Sequence, residues 1–359
     1  MTMDLSTRFD GLVLANPLMP ASGPLVGDAE KLAFLVGQGC GAIVTKTIST
    51  KLPHIPKPCI YGDREFVMNS ELWSEYPLAK WTEEFLPAFQ KTKDRPLIVS
   101  VGYSPEDMEI LIPALDGFAD AFEVSTHYVG TDLSRIRGIV QTIRARTEKP
   151  IYMKISPHLP DPEGFAKAIL EGGANGVVAV NSLGPTMKID LSRREIAYGN
   201  SSGFAWTSGP AIKNLALATV YRIKQANPSL TVIGTGGISK AEDILEFLLA
   251  GASAVQMLSG ALLKGKDLYG KILQDLPAVL AKYGFDSVEA VRKAGLSNPV
   301  SYEPFYPVWD ASRCTKCGLC ERLCPYFALS VGDIVKVDPA KCFSCGLCIA
   351  KCPAKALTR

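Results

Sequence analysis

No segment of the 359-residue chain comes near 18 uninterrupted apolar residues, so no transmembrane helix is expected. The first residues, MTMDLSTRFDG, have no basic start followed by an apolar run. That pattern excludes a secretory signal and the amphipathic leader of a membrane-attached enzyme, and makes a cytoplasmic location the expectation. Charge of one sign is also missing. Lys and Arg number 38 against 36 Asp and Glu, a net +2, which gives no reason to expect nucleic acid as a partner. Histidine is scarce, at three residues, and nothing in the pattern singles out His54 or His158 in their loops. No G-x-G-x-x-G follows an apolar run and opens a helix, so the chain has no evident Rossmann site for NAD or FAD. With 47% apolar and 21% charged residues, disorder and a coiled coil are excluded as well.

What is present is a repeated alternation. Eight apolar runs end in small or polar residues: PLMPASG (17–23), GAIVTKT (41–47), PLIVSVG (96–102), AFEVST (121–126), PIYMKIS (150–156), GVVAVNS (176–182), TVIGTGG (231–237) and AVQMLSG (254–260). Runs without polar alternation suit strands buried on both faces. The stretches between them read as amphipathic helices, for example Leu133 to Thr147. Eight such units predict an α/β fold, a (β/α)8 TIM barrel over residues 1–285, with a doubly wound sheet as the rival. In a barrel the chemistry sits where strands end, so the last residues of each run carry most weight. Residues 286–313 lose the periodicity and are broken by Pro299, Pro304 and Pro307, as in a linker. Its aromatics Tyr302, Phe305, Tyr306 and Trp309 point to packing on the body.

Eight of the ten cysteines crowd into residues 314–359. They form CTKCGLCERLCP (314–325) and CFSCGLCIAKCP (342–353), each C-x2-C-x2-C-x3-C-P. This is the bacterial two-cluster ferredoxin pattern, in which the fourth Cys reaches the other cluster. Cys314, Cys317, Cys320 and Cys352 are thus assigned to one [4Fe-4S] cluster, and Cys342, Cys345, Cys348 and Cys324 to the second. Zinc is the alternative, but it needs only four sulfurs and has no use for the third Cys of each repeat. Cys40 reads as a core thiol, and Cys59 has no assignment. Iron–sulfur clusters pass single electrons, so the barrel beside them is expected to do redox chemistry with a cofactor of its own.

The strand ends narrow that cofactor. Gly234-Thr235-Gly236-Gly237 ends the seventh run and Leu258-Ser259-Gly260 the eighth. Alone the first is a tight turn; together they form a phosphate cup at the usual place in a barrel. Lys46 and Lys154 end apolar runs. A buried ammonium is costly without a partner, so each should face an anion, such as the reduced edge of a flavin, unless it snorkels to the surface. Asn69 and Asn181, at a loop and a strand end, offer a donor and an acceptor together, which suits an amide-like ring edge.

The stretches NPLMPASG, IVTKT, MNSELWSE, YMKISP, AVNS, SGPAIKNLAL, GTGGI and AVQMLSG resemble the dihydroorotate dehydrogenase/dihydropyrimidine dehydrogenase family of FMN barrels. Barrel, linker and two-cluster tail come in the order of the iron–sulfur subunit of bacterial NAD-dependent dihydropyrimidine dehydrogenase, and the resemblance covers nearly the whole chain. It implies that Ala21, Ser22, Gly23, Lys46, Thr47, Lys154, Ser208, Gly209, Gly236, Gly237, Ser259 and Gly260 hold FMN, and that Asn69, Asn181 and Ser182 face the substrate.

One segment departs from the family. Where it reads N-x-S-C-P, with Cys as the proton-transfer residue, this chain reads Glu123-Val124-Ser125-Thr126-His127-Tyr128. A hydroxyl moves protons near neutral pH only with help, so Thr126, its neighbour His127 and Tyr128 are the acid/base candidates. Glu123 implies a substrate group that donates hydrogen bonds, or an altered flavin contact. The expected activity is FMN-dependent oxidoreduction of a CH-CH/C=C bond in a small cyclic carbonyl compound. A dihydropyrimidine is the first candidate, dihydroorotate the second and another cyclic enone or aromatic-derived ring the third. The electron donor is expected to be an NAD(P)H-oxidising flavoprotein subunit or a ferredoxin, in a homo- or hetero-oligomer. A barrel that has lost catalysis and only passes electrons is the reading from another class.

Overall fold

The computed structural model describes residues 3–102, 104–125, 128–298 and 301–359. The chain forms two compact units, residues 1–296 and 297–359. In the first, each expected apolar run supplies a strand: β1 (Leu18–Pro20), β2 (Ile43–Val44), β3 (Leu97–Val101), β4 (Ala121–Ser125), β5 (Ile151–Ile155), β6 (Gly176–Ala179), β7 (Thr231–Thr235) and β8 (Ala254–Met257). They pair in parallel in the order β1-β8-β7-β6-β5-β4-β3-β2. The gap between β2 and β1 is bridged where the Gly41 N–H donates to the Leu18 carbonyl at 2.8 Å. A Cβ on Gly41 would lie 1.9 Å from the Asn16 carbonyl oxygen, so only glycine permits this approach. The result is the nearly closed (β/α)8 barrel.

Strand side chains alternate, so residues two apart share a face. The lower interior layer is Met19, Val44, Ile98, Ala121, Tyr152, Val178, Ile233 and Ala254, one from each strand, closed below by Phe9, Leu12 and Leu14 of the hairpin Thr7–Phe9/Leu12–Leu14. Two residues further on stand Ala21, Lys46, Ser100, Glu123, Lys154, Val180, Thr235 and Gln256, all buried. The interior thus turns polar one layer below the carboxyl ends of the strands. The outward strand faces pack under helices such as Leu133–Arg144, whose Ile136, Ile139, Val140 and Ile143 are buried and whose cap Asp132 accepts the Ser134 N–H.

Two insertions build a second sheet in this unit: Leu183–Thr186, Ala205–Ser208, Val67–Asn69 and Ile60–Gly62, joined antiparallel in that order. The sequence pattern had no strand for either. The expected 286–313 linker is divided. Its first part forms the helix Val288–Ala294, with Val288 and Val291 fully buried and the Val288 N–H bonded to the Asp4 carbonyl. Its last part, Val308–Trp309, pairs with Leu357–Thr358 inside the second unit. Phe305 also belongs there, donating its N–H to Ser344 Oγ, while Tyr302 is 96% exposed.

The second unit is an internal repeat. Gly318 and Gly346 open matching five-residue helices, Leu319–Leu323 and Leu347–Lys351. A small core of Leu329, Val335, Cys348 and Leu357 holds the two halves together.

Candidate functional site

A cavity of about 560 Å³ opens at the carboxyl ends of the barrel strands, a size suited to a cofactor with substrate. Eleven of the twelve positions expected to hold FMN line it: Ala21, Ser22, Gly23, Lys46, Thr47, Lys154, Ser208, Gly209, Gly236, Gly237 and Ser259. So do Asn69, Asn181 and Ser182, as expected for the substrate side. Gly260 does not. It is needed for packing, because a Cβ there would meet the Ile238 carbonyl oxygen at 2.4 Å.

The residues expected to cup a phosphate offer backbone and hydroxyl groups. Gly237 has φ +84°, and a Cβ on it would lie 2.6 Å from Lys213 Cβ. Beside it Ser208 and Ser259 share a hydrogen bond of 2.7 Å between hydroxyls. Ser208 ends a strand of the inserted sheet and Ser259 begins the helix after β8, so the insertion closes the cup from above. On another wall Ser22 and Thr47 join hydroxyls at 3.0 Å.

Both lysines meet carboxylates of the chain itself. Lys46, 2% exposed, lies 2.8 Å from Glu71 Oε1 and 3.1 Å from Glu75 Oε1. Lys154 lies 3.3 Å from Glu123 Oε1. Burial pushes the Glu75 carboxyl up, but the Lys46 ammonium together with hydrogen bonds with Lys46, Glu71 and its own backbone holds it below its ordinary value. The expectation for Glu123 is corrected here. It is fully buried and does not line the cavity, and its donors are Lys154, Gln256, whose Nε2 is 2.7 Å from Oε2, and, more weakly, Ser100. Thr126 and His127 lie outside the described residues. Tyr128 is not among the lining residues; its hydroxyl donates to the Asp132 carbonyl at 2.7 Å and its ring lies against Phe165.

Several lining residues were not singled out by sequence. Glu71 follows Asn69 by two and accepts a weak bond from its Nδ2 at 3.4 Å. Gln256 stands two residues beyond the inward Ala254. His158, which nothing marked, lines the cavity and accepts the Gly184 N–H on Nε2 at 3.2 Å. The alternation of inward residues along β8 was a usable signal for Gln256, whereas His158 and Glu71 are placed by loops and carried none.

In the second unit Cys314, Cys317, Cys320 and Cys352 line one small cavity, bringing together residues far apart in sequence as the pattern predicts. Backbone N–H groups point at the sulfurs: Lys316 to Cys314 at 3.4 Å, Ala328 to Cys324 at 3.3 Å and Ala356 to Cys352 at 3.2 Å. Left-handed backbone at Lys316 and Ser344, with φ 54° and 61°, repeats the same loop in both halves. Thiols lining one cavity, with backbone N–H groups donating to sulfur, suit an iron–sulfur cluster. Cys40 is buried in the barrel core, which pushes its thiol up to about 12, and takes no part.

The dihydroorotate dehydrogenase family model matches residues 4–280, and a 4Fe-4S dicluster model matches 313–356. The chain belongs to the dihydroorotate dehydrogenase family. It is 31% identical to the catalytic subunit of dihydroorotate dehydrogenase B (NAD(+)) of Oceanobacillus iheyensis, over 82% of this chain and all of the relative. The corresponding subunit of Pyrococcus abyssi is 31% identical over 80% of this chain and 97% of its own length. Dihydroorotate dehydrogenase A (fumarate) of Limosilactobacillus reuteri is 31% identical over 79% and 95%. As a member of this family the chain is an oxidoreductase with FMN and iron–sulfur as cofactors. These relatives carry the dihydroorotate name. No helix among the described residues is long and apolar enough to cross a membrane.

Proposed function

We propose that this chain interconverts a CH-CH and a C=C bond beside a carbonyl in a small ring, with dihydroorotate, the substrate in its relatives' names, as the first ring to test. The observation that supports this most is one cavity where two buried lysines, a glycine–serine cup and the Asn69, Asn181 and Ser182 wall meet. Bound FMN would supply reversible hydride exchange and the iron–sulfur centres single-electron transfer. Lys46 and Lys154 would hold the flavin ring edge, and Ser208, Gly209, Gly236, Gly237 and Ser259 its phosphate. Asn181 gives its Oδ1 to the Ser182 N–H at 2.9 Å, which leaves its Nδ2 for a ligand oxygen. Thr126 or His127 would move the substrate proton. Cys314, Cys317, Cys320 and Cys352 would hold one [4Fe-4S] cluster, and Cys342, Cys345, Cys348 and Cys324 a second. The chain lacks a dinucleotide fingerprint, and its relatives are named as catalytic subunits of NAD(+) enzymes. We therefore infer that a separate nicotinamide-oxidising flavoprotein subunit, or a ferredoxin, exchanges its electrons.

A second reading is favoured by Glu71. Its carboxylate lines the cavity beside its partner Lys46, where it could accept from a neutral ring carrying N–H groups, such as a dihydropyrimidine. Anaerobic reoxidation separates the two. The protein is reduced with dithionite, freed of excess, and given orotate, uracil, thymine or a cyclic enone. Return of the oxidised-flavin band with orotate supports the first reading, and with uracil or thymine alone the second. A response only to the enone points to a changed substrate, and silence with all of them to a barrel that only passes electrons.

A further inference from the structure

Glu123 acts on the cavity entirely through other side chains. It is fully buried, and each polar group it meets among the described residues belongs to the chain. Lys154 Nζ is 3.3 Å and Ser100 Oγ 3.5 Å from Oε1, while Gln256 Nε2 is 2.7 Å from Oε2. Lys154 and Gln256 line the cavity; Ser100 is joined at 3.0 Å to Thr47, which also lines it. Two consequences follow. The first is charge: paired with Glu123, Lys154 presents to the cavity a neutral couple in place of an isolated cation. The second is orientation. A carboxylate accepts only from the donor end of an amide, which fixes Gln256 with Nε2 toward Glu123. The other end, Oε1, is buried without a hydrogen-bond partner among the described residues. A buried acceptor left bare is costly, and a ligand N–H would satisfy it.

We propose that Glu123 is a positioning residue for the flavin site: it offsets the Lys154 charge, so holding the flavin's reduction potential below that set by an unpaired lysine, and it fixes Gln256 Oε1 as an acceptor for a ring N–H. The proposal rests on FMN occupying this cavity. Reduction adds electron density to the flavin ring, which a nearby cation favours and a neutralised one favours less.

The test is an anaerobic dye-linked titration of the flavin in the purified holoprotein, for wild type, Glu123→Gln, Lys154→Met and the double variant, with the iron–sulfur signals as internal reference. Glu123→Gln is expected to favour the reduced flavin at least tenfold, an upward shift of about 30 mV for a two-electron couple. In the Lys154→Met background the same change is expected to move the equilibrium less than threefold, because the effect runs through the Lys154 charge. An unmoved potential in flavin-loaded Glu123→Gln, or an equal shift in both backgrounds, overturns the proposal. If Glu123→Gln alone fails to fold, an uncompensated Lys154 is the cause named here, and the double variant must regain the fold, read by its unfolding transition rather than by FMN content. Failure of the double variant to fold overturns it, since Glu123 would then serve packing. Wild-type protein that binds no FMN overturns the cofactor reading and this one with it.

Discussion

Lys46 and Glu71 form an ion pair in the wall of the cavity, with Nζ 2.8 Å from Oε1 and the two side chains only 2% and 9% exposed. The lysine ends an apolar run and the glutamate lies in the insertion that follows it, so the pair fastens the inserted segment to the barrel mouth. Removing one partner of a fully isolated buried pair costs several kcal/mol. Here Glu75 stays beside the ammonium. Glu71→Gln is therefore expected to destabilise the barrel by about 1–2 kcal/mol, read from the urea midpoint.

Glu75 makes the same region sensitive to acid. Burial raises its carboxyl, yet the Lys46 charge and the hydrogen bonds around Glu75 hold it below the ordinary 4.5. A carboxyl depressed on folding contributes stability above its unfolded value and loses it as the pH falls through its folded value. Stability is thus expected to decline below about pH 4.5, and Glu75→Gln to flatten that limb. Denaturant midpoints between pH 3 and pH 6 would settle it, and parallel limbs for the two proteins would exclude Glu75 as a cause.

The barrel was legible because it rests on local pattern. All eight apolar runs became strands, since a strand buried on both faces must be apolar throughout. Cys352 lines one cavity with Cys314, Cys317 and Cys320, residues far from it in sequence. The inserted sheet was not legible. Leu183–Thr186 and Ala205–Ser208 hold their pairing through partners distant in sequence, with half-exposed residues that carry no continuous apolar signal. Glu123 was placed on the fourth strand correctly but given the wrong neighbours. Its alternation with the inward Ala121 set its direction, while Gln256, more than a hundred residues away, set its role.

Two glycines are predicted to respond in opposite senses to alanine. At Gly41 the new Cβ would press on the Asn16 carbonyl at 1.9 Å, in backbone that closes the barrel. A clash with backbone cannot be relieved by a rotamer change, so a loss of about 2–4 kcal/mol is expected. Gly138 lies inside the helix Leu133–Arg144 with nothing within 4 Å of its Cβ position. Gly138→Ala should stabilise by about 0.5–1 kcal/mol. Thermal unfolding of both variants checks the pair, and a neutral Gly41→Ala would contradict the tight closure between β1 and β2.

Gly237→Ala should separate cofactor binding from folding. Its φ of +84° and the 2.6 Å approach to Lys213 Cβ leave no room for a side chain, and the distortion falls on the cup. FMN content after dialysis is expected to drop at least tenfold, about 1.4 kcal/mol, with iron content unchanged. Retention of a full complement of flavin would mean that the phosphate lies elsewhere in the cavity.

The cysteine repeat makes a prediction that sequence order alone would get wrong. Cys352 sits in the second motif but lines the cavity of Cys314, Cys317 and Cys320. Cys352→Ser should therefore remove the same electron paramagnetic resonance signal as Cys317→Ser, and Cys324→Ser the same signal as Cys345→Ser. Each change should take about four iron atoms per chain with it, since a cubane short of one thiolate is held poorly. The small core of Leu329, Val335, Cys348 and Leu357 joins both halves of this unit, so loss of one cluster is also expected to weaken the other. Iron analysis immediately after anaerobic purification therefore needs to accompany the spectra. If Cys352→Ser and Cys345→Ser instead abolish one common signal, each motif holds its own cluster and the crossed pairing is wrong.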